Sequence, residues 1–267
     1  MTAAGAQPPL GAEAASRGIL ITGAAGGIGS ALAREYAAPG VTLVLHARDA
    51  SHLQPLAQAC QAKGARVVVK GLDVRDTAAL LDWLRYMSET MRLDLVVVNA
   101  GVNIHGKPDG SGEDWDEMQV LLDVNIRAAL ATVQGVLPAM RARGSGQIAL
   151  MSSLAAQRGL PITPTYSASK AAVNAYGEGM RDWLGPQGIK VNVIMPGYVE
   201  SKMCHDMPGP KPFLWTAEKA ARVIRRGLDR NRARISFPFP LNFSCWFLGL
   251  AHPALSSWLL KRFGFGD

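Results

Sequence analysis

The stretch Arg17-Gly18-Ile19-Leu20-Ile21-Thr22-Gly23-Ala24-Ala25-Gly26-Gly27-Ile28-Gly29 decides the fold. Its apolar run from Gly18 to Ile21 reads as a buried strand that ends in a glycine turn. Helix formers follow from Ile28 to Ala38 and stop at Pro39-Gly40. Outward from this unit the same alternation continues. Further apolar, β-branched runs stand at Val41–Leu45, Arg66–Lys70, Leu95–Val98, Gln147–Met151 and Lys190–Ile194, with a short last one at Arg234–Phe237. Helical segments separate most of them, among them Thr77–Glu89, Trp115–Met140 and Tyr166–Leu184. Continuous apolar strands alternating with helices predict a parallel sheet covered on both faces. Right-handed crossovers then give a single doubly wound α/β domain over residues 17–267.

A glycine turn between a first strand and a first helix suits a pyrophosphate, because free N–H groups at the helix start point at the anion. Gly23 suits the turn, Gly27 lets the backbone approach, and Gly29 lets the helix pack closely. The spacing G-x-x-x-G-x-G differs from the common G-x-G-x-x-G, and such a loop alone could merely connect two elements. After the second strand comes His46-Ala47-Arg48-Asp49. A basic residue here pairs with a 2′-phosphate and selects NADP, whereas an acid selects NAD. Arg48 favours NADP over NAD. Asp49, one residue later, pulls the other way, and a solvated surface arginine is the plain alternative.

Tyr166-Ser167-Ala168-Ser169-Lys170 places a tyrosine and a lysine on one helix face. A free tyrosine titrates near pH 10, and a three-unit fall needs about 4 kcal/mol of preferential phenolate stabilisation. An ammonium and a positively charged cofactor ring could together supply it. Ser152-Ser153 follows the fifth strand at its C-terminal end, the edge where open α/β sheets bind ligands. The hydroxyl of Ser153 could polarise a carbonyl; a turn or helix cap is the plain alternative.

These residues together resemble the short-chain dehydrogenase/reductase family, over about Gly18 to Met203. The family's cofactor motif matches Thr22, Gly23, Gly27, Ile28 and Gly29. Its adenine-contacting acid matches Asp73, followed by Val74, and its Asn-Ala-Gly motif is Asn99-Ala100-Gly101. The catalytic serine, tyrosine and lysine match Ser153, Tyr166 and Lys170. The helix asparagine that holds a relay water matches Asn125. The Pro-Gly segment appears as Pro196-Gly197-Tyr198-Val199-Glu200-Ser201, with Ser201 where a threonine is usual. Gly26 stands where many NADP-dependent members carry a basic residue. The resemblance implies a Rossmann-type fold and hydride transfer between NAD(P) and a carbonyl or alcohol, with Tyr166 as general acid and base. It also implies that Lys170 binds the nicotinamide ribose, that the segment of about 202–216 closes over substrate, and that the chain forms a homodimer or homotetramer. A cofactor-binding scaffold without turnover is the alternative. A sugar-nucleotide epimerase of the extended branch is disfavoured by glycine spacing and length.

The 267 residues carry 28 Lys+Arg against 21 Asp+Glu, a net charge of +7. That balance favours anionic partners, but no nucleic-acid-binding pattern is present. Three distant cysteines, Cys60, Cys204 and Cys245, offer neither a disulfide framework nor a metal site, and fit a reducing, cytoplasmic setting. Residues 1–16 lack a basic segment before an apolar core, so they read as a loose tail rather than a signal peptide. Met203, Met207, Phe213, Leu214 and Trp215 in the 202–216 segment suggest a partly apolar substrate, or simple packing onto the body. His205 could add a polar contact. Ser236–Leu260 carries no charged residue. Its length reaches a membrane span, but Pro238, Pro240 and Pro253 break it. Packing of this extension, 236–267, on the body is expected first, and peripheral contact with an anionic membrane second.

Overall fold

The computed structural model describes residues 17–107 and 110–263. The expected loose tail, 1–16, and the last four residues of the extension lie outside them.

Seven strands form one sheet: β1 (Arg17–Ile21), β2 (Val41–Ala47), β3 (Arg66–Gly71), β4 (Leu93–Val98), β5 (Gly146–Met151), β6 (Ile189–Pro196) and β7 (Arg234–Phe237). Their order is β3-β2-β1-β4-β5-β6-β7 and every pairing is parallel. Successive residues of a strand face opposite sides, so a sheet covered twice needs apolar residues at every position. Ile19, Ile21, Leu43 and Leu45 pack on one face, against Leu32, Leu56, Ile224 and Leu228. These come from helices α1 (Gly27–Tyr36), α2 (Gln54–Gln61) and α8 (Ala217–Asp229). Leu20, Val44 and Val96 pack on the other, against Leu80, Leu84, Val133, Leu137, Val173 and Met180. Their helices are α3 (Thr77–Thr90), α5 (Ala128–Ala142) and α6 (Pro164–Leu184). The doubly wound sandwich expected from the apolar runs is the fold observed.

The strand order reverses between β1 and β4, and a crevice opens there at the C-terminal strand ends.

The long helical pattern after β4 is not one regular helix. Helix α4 (Trp115–Leu122) joins α5 through a π-helical turn, Asp123–Arg127, that contains Asn125. The apolar pattern continues through this turn, so the irregularity leaves no mark on it. The combined helix Trp115–Ala142 is long and apolar enough to cross a membrane, but 61% of its apolar window is buried in this core.

The uncharged C-terminal run is divided where its prolines stand. Helix α9 (Leu241–Leu250) begins after Pro240, and α10 (Pro253–Arg262) starts on Pro253. At 1.5 Å per residue each ten-residue helix is about 15 Å long, half a hydrocarbon core.

Candidate active site

The glycine turn is built by close approaches. Gly23 has φ +64, a conformation open to glycine. A Cβ on Gly29 would lie 2.6 Å from the Gly23 carbonyl, so Gly29 does allow α1 to pack tightly on the turn. At Gly27 the close neighbour is protein: a Cβ would lie 2.5 Å from the Glu200 carbonyl. Gly27 therefore admits the backbone that follows β6. No side chain caps α1, whose N-cap is Gly26, so its first N–H groups are free for an anion.

Two of the matched residues shape this turn from behind. Thr22 is buried; its hydroxyl accepts from Asn99 N (2.9 Å) and Ala100 N (3.1 Å). Asn99 Nδ2 donates to the carbonyls of Thr22 (2.9 Å) and Gly23 (3.0 Å). The C-terminal ends of β1 and β4 are thus clamped together. Thr22 does not line the crevice; Asn99 does.

His46 completes the clamp. Its Nε2 donates to the Leu72 carbonyl (2.9 Å), and its Nδ1 accepts from Gly23 N (3.4 Å). Burial lowers its pKa, which suits this neutral tautomer. In the sequence His46 only opens the segment His46-Ala47-Arg48-Asp49; its bonding depends on a turn 23 residues away.

The crevice holds about 1190 Å³. Its β2–β3 end carries Arg48, Asp49, Asp73, Val74 and also Arg75, which the motifs do not mark. Asp49 accepts from Ser51 N (2.8 Å) as a turn cap, and Asp73 is held by Arg75 at 2.6 Å. Hydrogen bonds from Arg75 keep the Asp73 carboxyl below its ordinary range.

Ser153, Tyr166 and Lys170 meet at the β5–β6 end, and all line the crevice. Lys170 is buried, 5.5 Å from the centre of the Tyr166 ring, and its Nζ donates to the Met151 carbonyl (3.0 Å). Burial drops its pKa to about 8. Burial pushes the Tyr166 hydroxyl above the ordinary tyrosine value, and a hydrogen bond with Ser153 draws it back. Ser153 also accepts from Ala155 N (3.2 Å), capping the short turn Leu154–Ala156; cap and site coincide in one hydroxyl. Ser152 is buried, and its hydroxyl donates to the Lys170 carbonyl (2.8 Å).

Asn125 lies behind the lysine rather than in the crevice wall. Its Oδ1 accepts from Val102 N (2.9 Å), and its Nδ2 donates to the Val102 carbonyl (2.9 Å) and Ser169 Oγ (3.0 Å). The side-chain amide is thus spent on the protein. A Cβ on Gly101 would meet Asn125 Oδ1 at 3.2 Å and Lys170 Nζ at 3.4 Å, so this glycine keeps the lysine's corner open.

The chain matches the family model of the short chain dehydrogenases over residues 17–210. It is 37% identical over 231 residues to an uncharacterized oxidoreductase of Myxococcus xanthus, covering 86% of this chain and 90% of that one. The chain belongs to the short-chain dehydrogenase family. A monensin polyketide synthase putative ketoacyl reductase of Streptomyces virginiae is 35% identical, over 72% of this chain and 74% of its own length. Among solved structures, a short-chain dehydrogenase from Sphingobium yanoikuyae in complex with NADPH superposes with a TM-score of 0.78 at 26% identity, covering 90% and 95%. This short-chain dehydrogenase is accordingly an oxidoreductase with a nicotinamide-dinucleotide fold.

The walls of its crevice also come from further along the chain. After Pro196 and Gly197, Val199 and Trp215 form a parallel bridge that closes a strap between them. Ser201 accepts from Cys204 N (3.1 Å) and caps α7 (Lys202–Asp206). Met203, Met207 and Phe213 of this strap line the crevice. Trp215 instead stacks on Phe237 at 5.1 Å, and His205 is exposed away from it. Leu241, Phe243, Phe247, Leu248, Leu260 and Phe263 add a wall that the sequence did not place. A Cβ on Gly249 would lie 2.5 Å from the Gln157 carbonyl, so α9 sits directly against the loop after Ser153.

Proposed function

We propose that this short-chain dehydrogenase interconverts a partly apolar carbonyl compound and its alcohol, with NADP favoured over NAD. The meeting of Ser153, Tyr166 and Lys170 in the crevice that begins at the glycine turn carries this reading. The uncapped α1 start and the close-packed glycines fit a dinucleotide's pyrophosphate. Gly23, Gly27, Ile28 and Gly29 would hold it, and Asp73, Val74, Ala100, Gly101, Pro196, Gly197, Val199 and Ser201 would flank it. The bound nicotinamide supplies or accepts the hydride.

The residues of the chain handle the proton and the charge. Tyr166 donates its hydroxyl proton to the carbonyl oxygen as hydride arrives, and takes it back in the oxidation. Ser153 donates a hydrogen bond to the same oxygen and stabilises developing charge. Lys170 would orient the cofactor ribose and, together with the charge of the oxidised nicotinamide, would favour the phenolate. Asn125, fixed to Val102 and Ser169, holds the π-helical turn beside Lys170, where a water could pass protons onward. The strap of 202–216 acts as the lid.

Arg48 and Arg75 at the β2–β3 end support NADP, since the competing Asp49 is turned to Ser51. Exposed Phe239, Phe243, Trp246, Leu250 and Trp258 support a surface contact through the extension. A homo-oligomer and peripheral attachment to an anionic membrane, in a cytoplasmic setting, are the two uses we propose for it. Light scattering and liposome sedimentation of the full chain, with and without residues after Phe237, separate them.

The deciding test is NADPH and NADH oxidation against a carbonyl panel, wild type against Tyr166→Phe. Loss of about 10²–10⁴-fold in kcat with cofactor affinity retained is the expected result. Turnover unchanged in Tyr166→Phe would remove the proton assignment. Cofactor binding without turnover of any carbonyl would favour a scaffold.

A further inference from the structure

Arg158 stands five residues after Ser153, in the loop leaving the Leu154–Ala156 turn, and it lines the crevice. Its surroundings there are apolar: Leu154, Leu160, Leu241, Leu248 and Leu260 line the same walls. Two acidic residues line the crevice among the described residues, Asp49 and Asp73. Both sit beyond β2 and β3. The strand order puts β2 and β5 three positions apart, about 14 Å of sheet. Arg158 therefore has no carboxylate near it in the crevice.

What holds Arg158 is hydroxyl. Nε donates to Ser256 Oγ (3.1 Å) and Nη2 to Ser257 Oγ (3.3 Å), both from α10. Among the described residues it forms no ion pair. A guanidinium offers five N–H donors in a rigid fork suited to carboxylate and phosphate. Neutral hydroxyls fix its plane without cancelling its charge. A half-buried cation in an apolar wall is costly unless an anion joins it. Lysine would hold α10 by hydrogen bonds as well; the fork is useful when a planar oxyanion must be met. On the proposed reading the cofactor's phosphates lie at the glycine turn and at Arg48, beyond β1 and β2, two and three strand positions from β5.

We propose that Arg158 recognises an oxyanion on the substrate. The substrate is then an anionic amphiphile: a reacting carbonyl or alcohol at Tyr166 and Ser153, an apolar body along α9 and α10, and a carboxylate or phosphate at Arg158. This rests on the carbonyl-reductase reading of the site and names its substrate class.

The test uses the full-length protein and two probes that share a chain and differ in charge: sodium decanoate and 1-decanol. Binding is followed by tryptophan fluorescence with and without saturating NADPH, in wild type, Arg158→Gln and Arg158→Lys. Gln keeps a donor for the α10 serines and removes the charge. Wild type should bind decanoate at least tenfold more tightly than decanol. Arg158→Gln should lose that preference, Arg158→Lys should restore part of it, and raising salt should weaken it. NADPH affinity should not change in either variant. A preference that persists in Arg158→Gln, equal binding of both probes by wild type, or no decanoate binding up to millimolar concentration overturns the proposal. Adding inorganic phosphate as competitor tells which oxyanion the fork prefers. Failure of NADPH to bind at all would instead strike the reading of the site itself.

Discussion

Ser152 and Lys170 are bonded through the lysine's main chain and not its ammonium: the serine hydroxyl donates to the Lys170 carbonyl at 2.8 Å. The ammonium of Lys170 reaches back to the neighbouring strand residue, Met151, at 3.0 Å. Helix α6 is thereby fixed at two points to the end of β5, and the spacing of Tyr166 from Ser153 follows from that fixation.

Ser152→Ala should therefore act on geometry more than on stability. One lost buried hydrogen bond costs about 1 kcal/mol. A small shift of the tyrosine should cost about tenfold or more in kcat. Urea unfolding and steady-state kinetics on the same preparation check both. A kcat equal to wild type would mean that α6 is held elsewhere.

Lys170 gives a stability profile with a defined sign. Burial lowers its pKa from 10.5 to about 8. Between these values the unfolded chain binds more protons than the folded one, so stability rises with pH across that window. The rise attributable to Lys170 is on the order of 3 kcal/mol. Unfolding of wild type and Lys170→Met at pH 7.5 and pH 10 should show it as a change in their difference. A pH-independent difference would place the lysine in contact with water.

His46 should act in the opposite pH range. Its folded pKa lies below the ordinary 6.5 because of burial, so the unfolded chain takes up the proton first. The stability it confers is complete above pH 6.5 and declines as pH falls below it. Protonation would also set an N–H against the N–H of Gly23. Thermal melts from pH 7.5 to pH 5 should fall more steeply for wild type than for His46→Gln.

On the proposed NADP preference, Arg48 should separate the two cofactors. Loss of a charge-assisted contact costs about 1.5–3 kcal/mol, so Arg48→Ala should weaken NADPH binding by roughly 10–100-fold. NADH binding should change little. Fluorescence titration gives both numbers, and equal losses would sink the NADP preference. Arg75→Ala should spare NADPH more, since Asp73 already occupies its guanidinium.

Gly249 reports on the C-terminal wall. A valine there would collide with the Gln157 carbonyl, which stands 2.5 Å from the Cβ position, and overpacking costs about 1–3 kcal/mol. Gly249→Val should raise KM for apolar carbonyls and leave NADPH affinity as it was. Crevice access by an apolar fluorescent dye measures the same change directly.

Most of the sheet could be read from residue order because buried parallel strands leave continuous apolar runs, as in Leu43–Leu45 and Leu95–Val98. Tyr166 and Lys170 were legible because four residues on a helix is a fixed geometry. The π-helical turn at Asn125 was not, since its side chains keep the apolar rhythm of the helix around it. Helix α9 escaped for another reason: the sequence Leu241–Leu250 is apolar at most positions and shows no periodicity to mark a buried face. The rise that burial gives the Tyr166 hydroxyl was not legible either, because burial is set by packing and not by the spacing of Tyr166 from Lys170. The bonds of His46 and Arg158 join positions 23 to 99 residues apart, a distance over which spacing carries no message.

The family model ends at residue 210, whereas much of the crevice wall near Ser153, Tyr166 and Lys170 lies between Pro240 and Phe263. On the proposed reading, reactivity and choice are written in separate lengths of one polypeptide. Exchange of the last thirty or so residues between relatives would hand a new diet to an old catalyst, and lineages could explore new substrates while their catalytic residues stayed still.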